Sequence, residues 1–416
     1  MRILKLTPQT ERWLLARRTQ QDAEAHRIAA EIVQDVRKRG DAALLAYAKQ
    51  FDDTDLAKTG IWIEKKEIRA ARKATSSKFQ KAIEKAAENV SRVAEKQLPR
   101  QWTIETTPGV KIHQVVRPIE AIGCYIPGGR FSLVSTLVMT VAPAKVASVP
   151  NIVAVCPKPN PELLAAAEIL GIERIARIGG AQGIAALAYG TKSVPRVDKI
   201  FGPGNKYVTA AKQIVSNECA IDLPAGPTEA IVFAEHGSAR WIAADLLAQA
   251  EHAKDAASFF VTTSESLASE VQREIQTQLQ EMPESMAHCS TQASGAILLA
   301  ESANQACEFI NRFAPEHLSL PEDGGRLLAK IRASGTIFLG PWGAQPLGDY
   351  ATGSNHVLPT GGWARRRGGL SAADFVKCIS VQTITSKGFL KLAETVETLA
   401  ESEGLIAHRN AVRVRR

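Results

Sequence analysis

The chain has no pair of cysteines at CxxC spacing; its six (Cys124, Cys156, Cys219, Cys289, Cys307, Cys378) lie far apart. That argues against both a disulfide framework and a thiolate zinc site, and most read as small buried hydrophobes. Long uncharged apolar runs are also missing, and Met1 to Gln50 is crowded with charge instead of carrying a charged-then-apolar leader. Neither a membrane span nor secretion is expected, and the chain reads as cytoplasmic. No basic stripe is interleaved with aromatics. The net charge of +8 is scattered, and its densest cluster, Arg365-Arg366-Arg367, is short. A nucleic-acid partner is therefore not expected, which leaves the charge to a solvated surface or to attraction for anionic cofactors. The dinucleotide fingerprint G-x-G-x-x-G is absent, as are HExxH, GxSxG and the Walker A motif, so no ordinary Rossmann, zincin, serine-hydrolase or P-loop site is supported.

What is present is the composition of a soluble globular protein: 416 residues, 45% apolar and 23% charged, enough for several domains and a large core. Residues 1–100 look helical, with apolar positions three and four apart in "TERWLLARRTQQDAEAHRIAAEIVQDVRKRG" and "SSKFQKAIEKAAENVSRVAEKQL". From about 103 short β-rich runs take over, closed by a Pro-Gly-Gly turn. Residues 131–215 then alternate strand-like and helix-like segments with glycine-rich turns at the strand ends, and a second set follows Pro224. This alternation is the mark of a parallel α/β sheet. Two similar α/β halves fit the pattern, although no residue-level repeat proves a duplication. From about 371 the chain reads as a mostly helical tail.

Three glycine-rich turns follow strand-like runs: Tyr125-Ile-Pro-Gly-Gly129, Gly179-Gly-Ala-Gln182 and Gly202-Pro-Gly-Asn205. Each is either a structural turn or a place where backbone N–H groups hold phosphate. Of eight histidines, four (His252, His317, His356, His408) stand beside another polar functional group. In "LLAQAEHAKD", Gln249 and His252 lie three apart on an apparent helix and share a face. Asp349 and His356 come from "LGDYATGSNH", Glu403 and His408 from "SEGLIAHRN". A metal site without thiolate, built from imidazole and carboxylate, suits this inventory. "FAPEHLSL" sets Glu316 directly before His317. Adjacent side chains on a helix or strand diverge, so these two do not form a hydrogen-bonded dyad. They are either two solvated residues or groups that serve different steps from opposite sides of one pocket.

The order of motifs resembles the histidinol dehydrogenase family over nearly the whole length, from "VRKRGDAALLAYAKQFD" to "LIAHRNAV". Between them lie "YIPGG", "GGAQGIAALAYGT", "VDKIFGPGN", "IDLPAGPTE", "LAQAEH", "APEHL", "GDYATGSNHVLPT" and "GLSAADF". Any one would be weak; all of them in this order are specific. The resemblance implies two Rossmann-like, incomplete parallel-sheet α/β domains with a helical N-terminal segment and a small helical C-terminal tail domain. The boundaries it suggests are 1–20 for the N-terminal segment, 21–124 with 228–370 for the first α/β domain, 125–227 for the second, NAD-binding domain, and 371–416 for the tail.

The same resemblance implies the chemistry, which is the four-electron oxidation of L-histidinol through L-histidinal to L-histidine with NAD⁺ and one Zn²⁺ per subunit. Gln249, His252, Asp349 and His408 would hold zinc. Thr228, Gln249, His252, His317, Asp349, Glu403 and His408 would contact substrate, with His356 lining the pocket, and Tyr125, Gln182 and Asn205 would touch NAD⁺. Glu316 and His317 would be catalytic, His317 as the general base of both oxidations and Glu316 as the base that activates water. In the family the tail crosses a homodimer, so Glu403 and His408 would complete the partner's site. The rival is a zinc- and NAD-linked enzyme on the same scaffold for another alcohol, such as a sulfonated propanediol. Such an enzyme is expected to change the carboxylate and tail residues that are intact here.

Overall fold

The structure is a computed structural model and describes residues 1–18, 23–128, 133–224, 226–321 and 324–416. The expected 20/21 boundary, Gly129 of the first glycine turn and Ala225 of "AGPTE" lie outside the described residues.

Two parallel sheets organise the chain. In spatial order the larger runs Arg2–Lys5, Ala296–Leu299, Ala257–Thr262, Glu229–Phe233, His317–Leu320 and Thr336–Leu339. The smaller runs Ile175–Ala176, Asn151–Val155, Ala121–Tyr125, Lys199–Phe201 and Ala220–Ile221. All neighbours within both sheets are parallel. With the edge strand Arg2–Lys5 set aside, both halves follow one order: third strand, second, first, fourth, fifth. The two halves therefore share topology without a visible sequence repeat. Their central strands read as unbroken apolar runs because both faces are covered: Glu229–Phe233 is buried at every position.

The packing changes the expected domain boundaries. The helices Ala23–Arg39 and Asp41–Asp52 bury Ala29, Val33, Val36 and Leu44 against Val153, Ile184 and Ile200 of the smaller half. Helices Lys65–Ala74 and Ser77–Gln97 cover the same half, with Ile68 and Val90 in its core. The helices of residues 23–97 therefore build the core of the smaller half, which Val357 and Leu370 also enter, and a cut after 124 would split the strand Ala121–Tyr125. Residues 1–18, expected to be a separate helical segment, supply a strand and a helix to the larger half, with Leu6 and Leu14 in its core.

The tail is not wholly helical. Val376–Ile384 pairs antiparallel with Val110–Pro118, which pairs with Trp102–Thr107, and helices Ser386–Ser402 and Ile406–Arg413 follow. This three-stranded sheet has no covered face, and its apolar side chains Ile104, Ile379, Val381 and Ile384 are about half exposed. No helix among the described residues is long and apolar enough to cross a membrane.

Candidate active site

Glu316 and His317 sit where the larger sheet begins its fourth strand. The preceding helix Ala303–Phe313 ends at Ala314, which takes the left-handed conformation (φ 51°) and turns the chain into the sheet. His317 then opens the strand beside Ala230, so both side chains lie at the amino edge of the strand pair, and both are buried. This departs from the usual rule for open α/β sheets, whose ligands gather at carboxyl ends.

The pair is close without a mutual hydrogen bond: His317 Nδ1 lies 3.8 Å from Glu316 Oε2. The Glu316 carboxylate accepts from Thr228 Oγ1 and, at 3.0 Å, from the Glu229 backbone N–H. Across the ring, His317 Nε2 approaches Asp349 Oδ1 to 3.5 Å, and neither ring nitrogen has a partner at bonding geometry. A buried imidazole with both nitrogens unsatisfied is costly in a finished core, and it suits a group that meets a substrate.

Electrostatics separate the roles. Burial raises the Glu316 carboxyl above its ordinary range, against the pull of His317 and the Thr228 hydrogen bond. Burial also pulls His317 down, but Glu316 and Asp349 outweigh it and raise its affinity for a proton. Asp349, although partly desolvated, is held below the usual range by His317 and the other nearby imidazoles. The result is two neighbouring bases, each with raised proton affinity, around one space.

A directed chain of hydrogen bonds supports the carboxylate. Gln345 Nε2 donates to Gln249 Oε1 (2.6 Å), Gln249 Nε2 donates to Thr228 Oγ1 (2.7 Å), and Thr228 donates to Glu316. Sequence reasoning missed Gln345, which is buried. The signal was available, since Gln345 stands four residues before Asp349 on the helix Gln345–Tyr350 and so shares its face. His356 lines the pocket beside His317 and Asp349, as expected, and its half-buried ring is also a strut: its Nδ1 donates to the Asp349 carbonyl at 2.9 Å. Phe338 stacks on the His317 ring and closes that side.

The four residues assigned to zinc divide into two sets. Gln249 lies in the last turn of helix Ala239–Ala250, and the Gln345 bond draws it toward the helix that carries Asp349. His252 is not on that helix but on the turn after it, near enough to bias the charge of both Asp349 and Glu316. These are nitrogen and oxygen donors of the kind zinc accepts, and they fit the ion. Glu403 and His408 stand exposed on the tail. Among the described residues no group of three or more His, Cys, Asp or Glu converges, so His408 does not join His252 and Asp349 within one chain.

The three glycine turns meet at the carboxyl end of the smaller sheet, where its strand order reverses. Tyr125 ends the central strand, and its hydroxyl accepts from the Gly180 N–H at 3.1 Å. Gly128 and Gly179 both pack on Pro157 so closely that a Cβ on either would sit 2.6 Å from its ring. Gly202, at φ 117°, lies against Tyr125, and a Cβ there would reach 2.1 Å from the Tyr125 carbonyl oxygen. Gln182 is buried beside Gly180, and Asn205 caps the helix Lys206–Val215, its side chain accepting from Tyr207 and Val208 N–H. A switch point lined with glycines and helix N-termini is a surface suited to a dinucleotide.

Two parallel sheets of one topology, with a buried acid–base pair at one and a glycine-lined switch point at the other, define a two-domain α/β enzyme. Comparison with known proteins gives the family. Residues 15–416 match the family model for histidinol dehydrogenase, and the chain belongs to that family. It is 43% identical to histidinol dehydrogenase from Methanosarcina mazei over 393 residues, 92% of this chain and 90% of that one. Against the Vibrio parahaemolyticus enzyme it is 44% identical over 392 residues, 93% of this chain and 90% of the relative. The crystal structure of histidinol dehydrogenase from Elizabethkingia anophelis superposes with a TM-score of 0.94 at 38% identity, covering 100% of this chain and 98% of that one.

Proposed function

We propose that this chain oxidises L-histidinol to L-histidine through L-histidinal, with zinc and two NAD⁺, as a cytoplasmic homodimer. The observation that carries the reading is the buried Glu316–His317 pair, with both imidazole nitrogens unsatisfied and Asp349 3.5 Å from one of them. Bound NAD⁺ supplies the hydride acceptor, and Tyr125, Gln182 and Asn205 would hold it at the switch point. Gln249, His252, Asp349 and His408 would hold zinc, which would supply a fixed point of attachment for the substrate's nitrogens. That attachment orients the carbinol carbon.

His317 takes the hydroxyl proton as the alcohol carbon loses hydride. Glu316, its proton affinity raised by burial, deprotonates the water that adds to the aldehyde. His317 returns its proton to the aldehyde oxygen as the water adds, and, so reset, takes a proton from the hydrate as the second hydride departs; the water's oxygen becomes one oxygen of the new carboxylate. Thr228 and the Glu229 N–H fix one carboxylate oxygen of Glu316, so a single lobe faces the water.

The dimer reading is supported by the tail. Its open sheet and helices expose Ile379, Val381, Leu399, Leu405 and Ile406, apolar side chains that a second chain would take out of water. A second chain covering that arm would bring Glu403 and His408 to the neighbouring site. The test is stoichiometry with purified, zinc-loaded protein. Two NADH per histidinol consumed, with histidine as product, supports the reading. One NADH with histidinal accumulating overturns it, as does turnover of a sulfonated propanediol without turnover of histidinol.

A further inference from the structure

The smaller half contains a fully buried ion pair that the chemistry above does not use. Lys212, on the helix Lys206–Val215, and Asp222, just past the last strand, contact each other with side chains 1% and 0% exposed. Both reach the same residue. Asp222 Oδ2 accepts from the Gly202 N–H at 2.8 Å, and Lys212 Nζ donates to the Gly202 carbonyl at 2.9 Å. Asp222 Oδ1 also accepts from the Leu223 N–H at 2.6 Å.

We propose that Lys212 and Asp222 are positioning residues for the dinucleotide, an ion pair that holds both peptide groups of Gly202 and so fixes the turn leading to Asn205. The proposal rests on the dinucleotide reading of that turn. Gly202 cannot hold itself: its φ of 117° is outside the sheet conformation, and it presses on the Tyr125 backbone. The strand it leaves has only three residues, Lys199–Phe201, so ladder bonds end before the turn begins.

Stability alone does not call for two charges here, because an apolar pair of similar volume commonly serves a core as well or better. What an apolar pair cannot do is bond a carbonyl and an N–H at once. Arg367 extends the clamp, donating to the Asp222 carbonyl and, at 2.8 Å, to Asp374. Arg367, the last of the short arginine cluster, thus braces the cofactor turn from outside.

The experiment compares wild type with the double variant Lys212→Met/Asp222→Asn, which leaves no unpaired buried charge, by steady-state kinetics at varied NAD⁺ and varied histidinol. The KM for NAD⁺ should rise about tenfold, the loss expected for a hydrogen bond to a charged group, while the KM for histidinol is unchanged. A folded double variant with wild-type KM for NAD⁺ overturns the proposal. Hydrogen exchange on the wild-type chain, read on peptides spanning 199–205 and 220–224, tests the clamp even if the variant does not fold. Slow exchange at Gly202 and Leu223 supports it, and exchange at the rate of exposed turns overturns it. If wild type makes no NADH at all, the functional reading fails, and slow exchange at Gly202 would then identify a structural brace only.

Discussion

Arg18 is the most informative residue to perturb outside the catalytic pair. Its side chain and that of Glu229 are 9% and 4% exposed. The guanidinium forks onto both Glu229 oxygens, donates to the Phe313 carbonyl, and lies 3.6 Å above the centre of the Phe313 ring. Glu229 in turn follows Thr228 and offers Glu316 its N–H. Burial pushes the Glu229 carboxyl up to about 7 despite Arg18, with the Glu316 charge adding to the shift. Arg18→Met therefore strands a carboxylate in the core and frees the carbonyl that ends the helix before Glu316. Removing one partner of a buried pair costs about 3–5 kcal/mol. The double variant Arg18→Met/Glu229→Gln removes the stranded charge and should recover more than half of that loss. Urea denaturation followed by tryptophan fluorescence gives both values, read as shifts in midpoint at constant protein concentration. A single variant that loses less than about 1 kcal/mol, the range of an exposed pair, would refute the reasoning. So would a double variant no more stable than the single.

Thr228→Val removes the hydroxyl that links Gln249 to Glu316, and aldehyde oxidation should slow by about tenfold to a hundredfold, whereas Thr228→Ser keeps most of the rate; stopped-flow NADH formation from histidinal measures both. Chelation should abolish activity and added zinc restore it, as assayed after dialysis. Mixing equal amounts of Glu316→Gln chains, which stall at the aldehyde, and His408→Ala chains should return about a quarter of wild-type histidine formation if the tail serves the partner, because half the dimers are hybrids with one intact site. No recovery after verified exchange would place His408 in its own chain's site. In metal-free protein the raised His317 contributes stability that is present in full below its ordinary value of 6.5 and lost as pH rises through its folded value. Asp349→Asn should lower that folded value, visible in an NMR titration of the imidazole protons.

Much of the architecture is legible where side chains meet their own chain's core. The runs "EAIVFAE" and "SFFVTT" announce buried strands, and Glu229–Phe233 and Ala257–Thr262 are found there. Arg2–Lys5 is different: four residues of mixed character form a strand only because Ala296–Leu299 offers an edge far away in sequence. Val376–Ile384 alternates like a strand, but Ile379, Val381 and Ile384 stand about half exposed, so the helices after it dominate the reading of the tail. At the site, Glu316 and His317 form no mutual hydrogen bond, as adjacent positions suggest, but His317 Nδ1 comes within 3.8 Å of Glu316 Oε2, closer than divergence alone implies. Arg18 and Glu229 carry no signal of burial, since a charge in a sequence reads as surface until its partner, 211 residues away, is placed beside it. Lys212 and Asp222 are hidden for the same reason.

The most direct test of the two-base account is the separate measurement of histidinol and histidinal oxidation in Glu316→Gln and His317→Ala. The account expects His317→Ala to be slow in both oxidations, and Glu316→Gln to oxidise the alcohol at near the wild-type rate while stalling at the aldehyde. Equal loss of both oxidations in Glu316→Gln, in a protein that still folds and binds zinc, would contradict it.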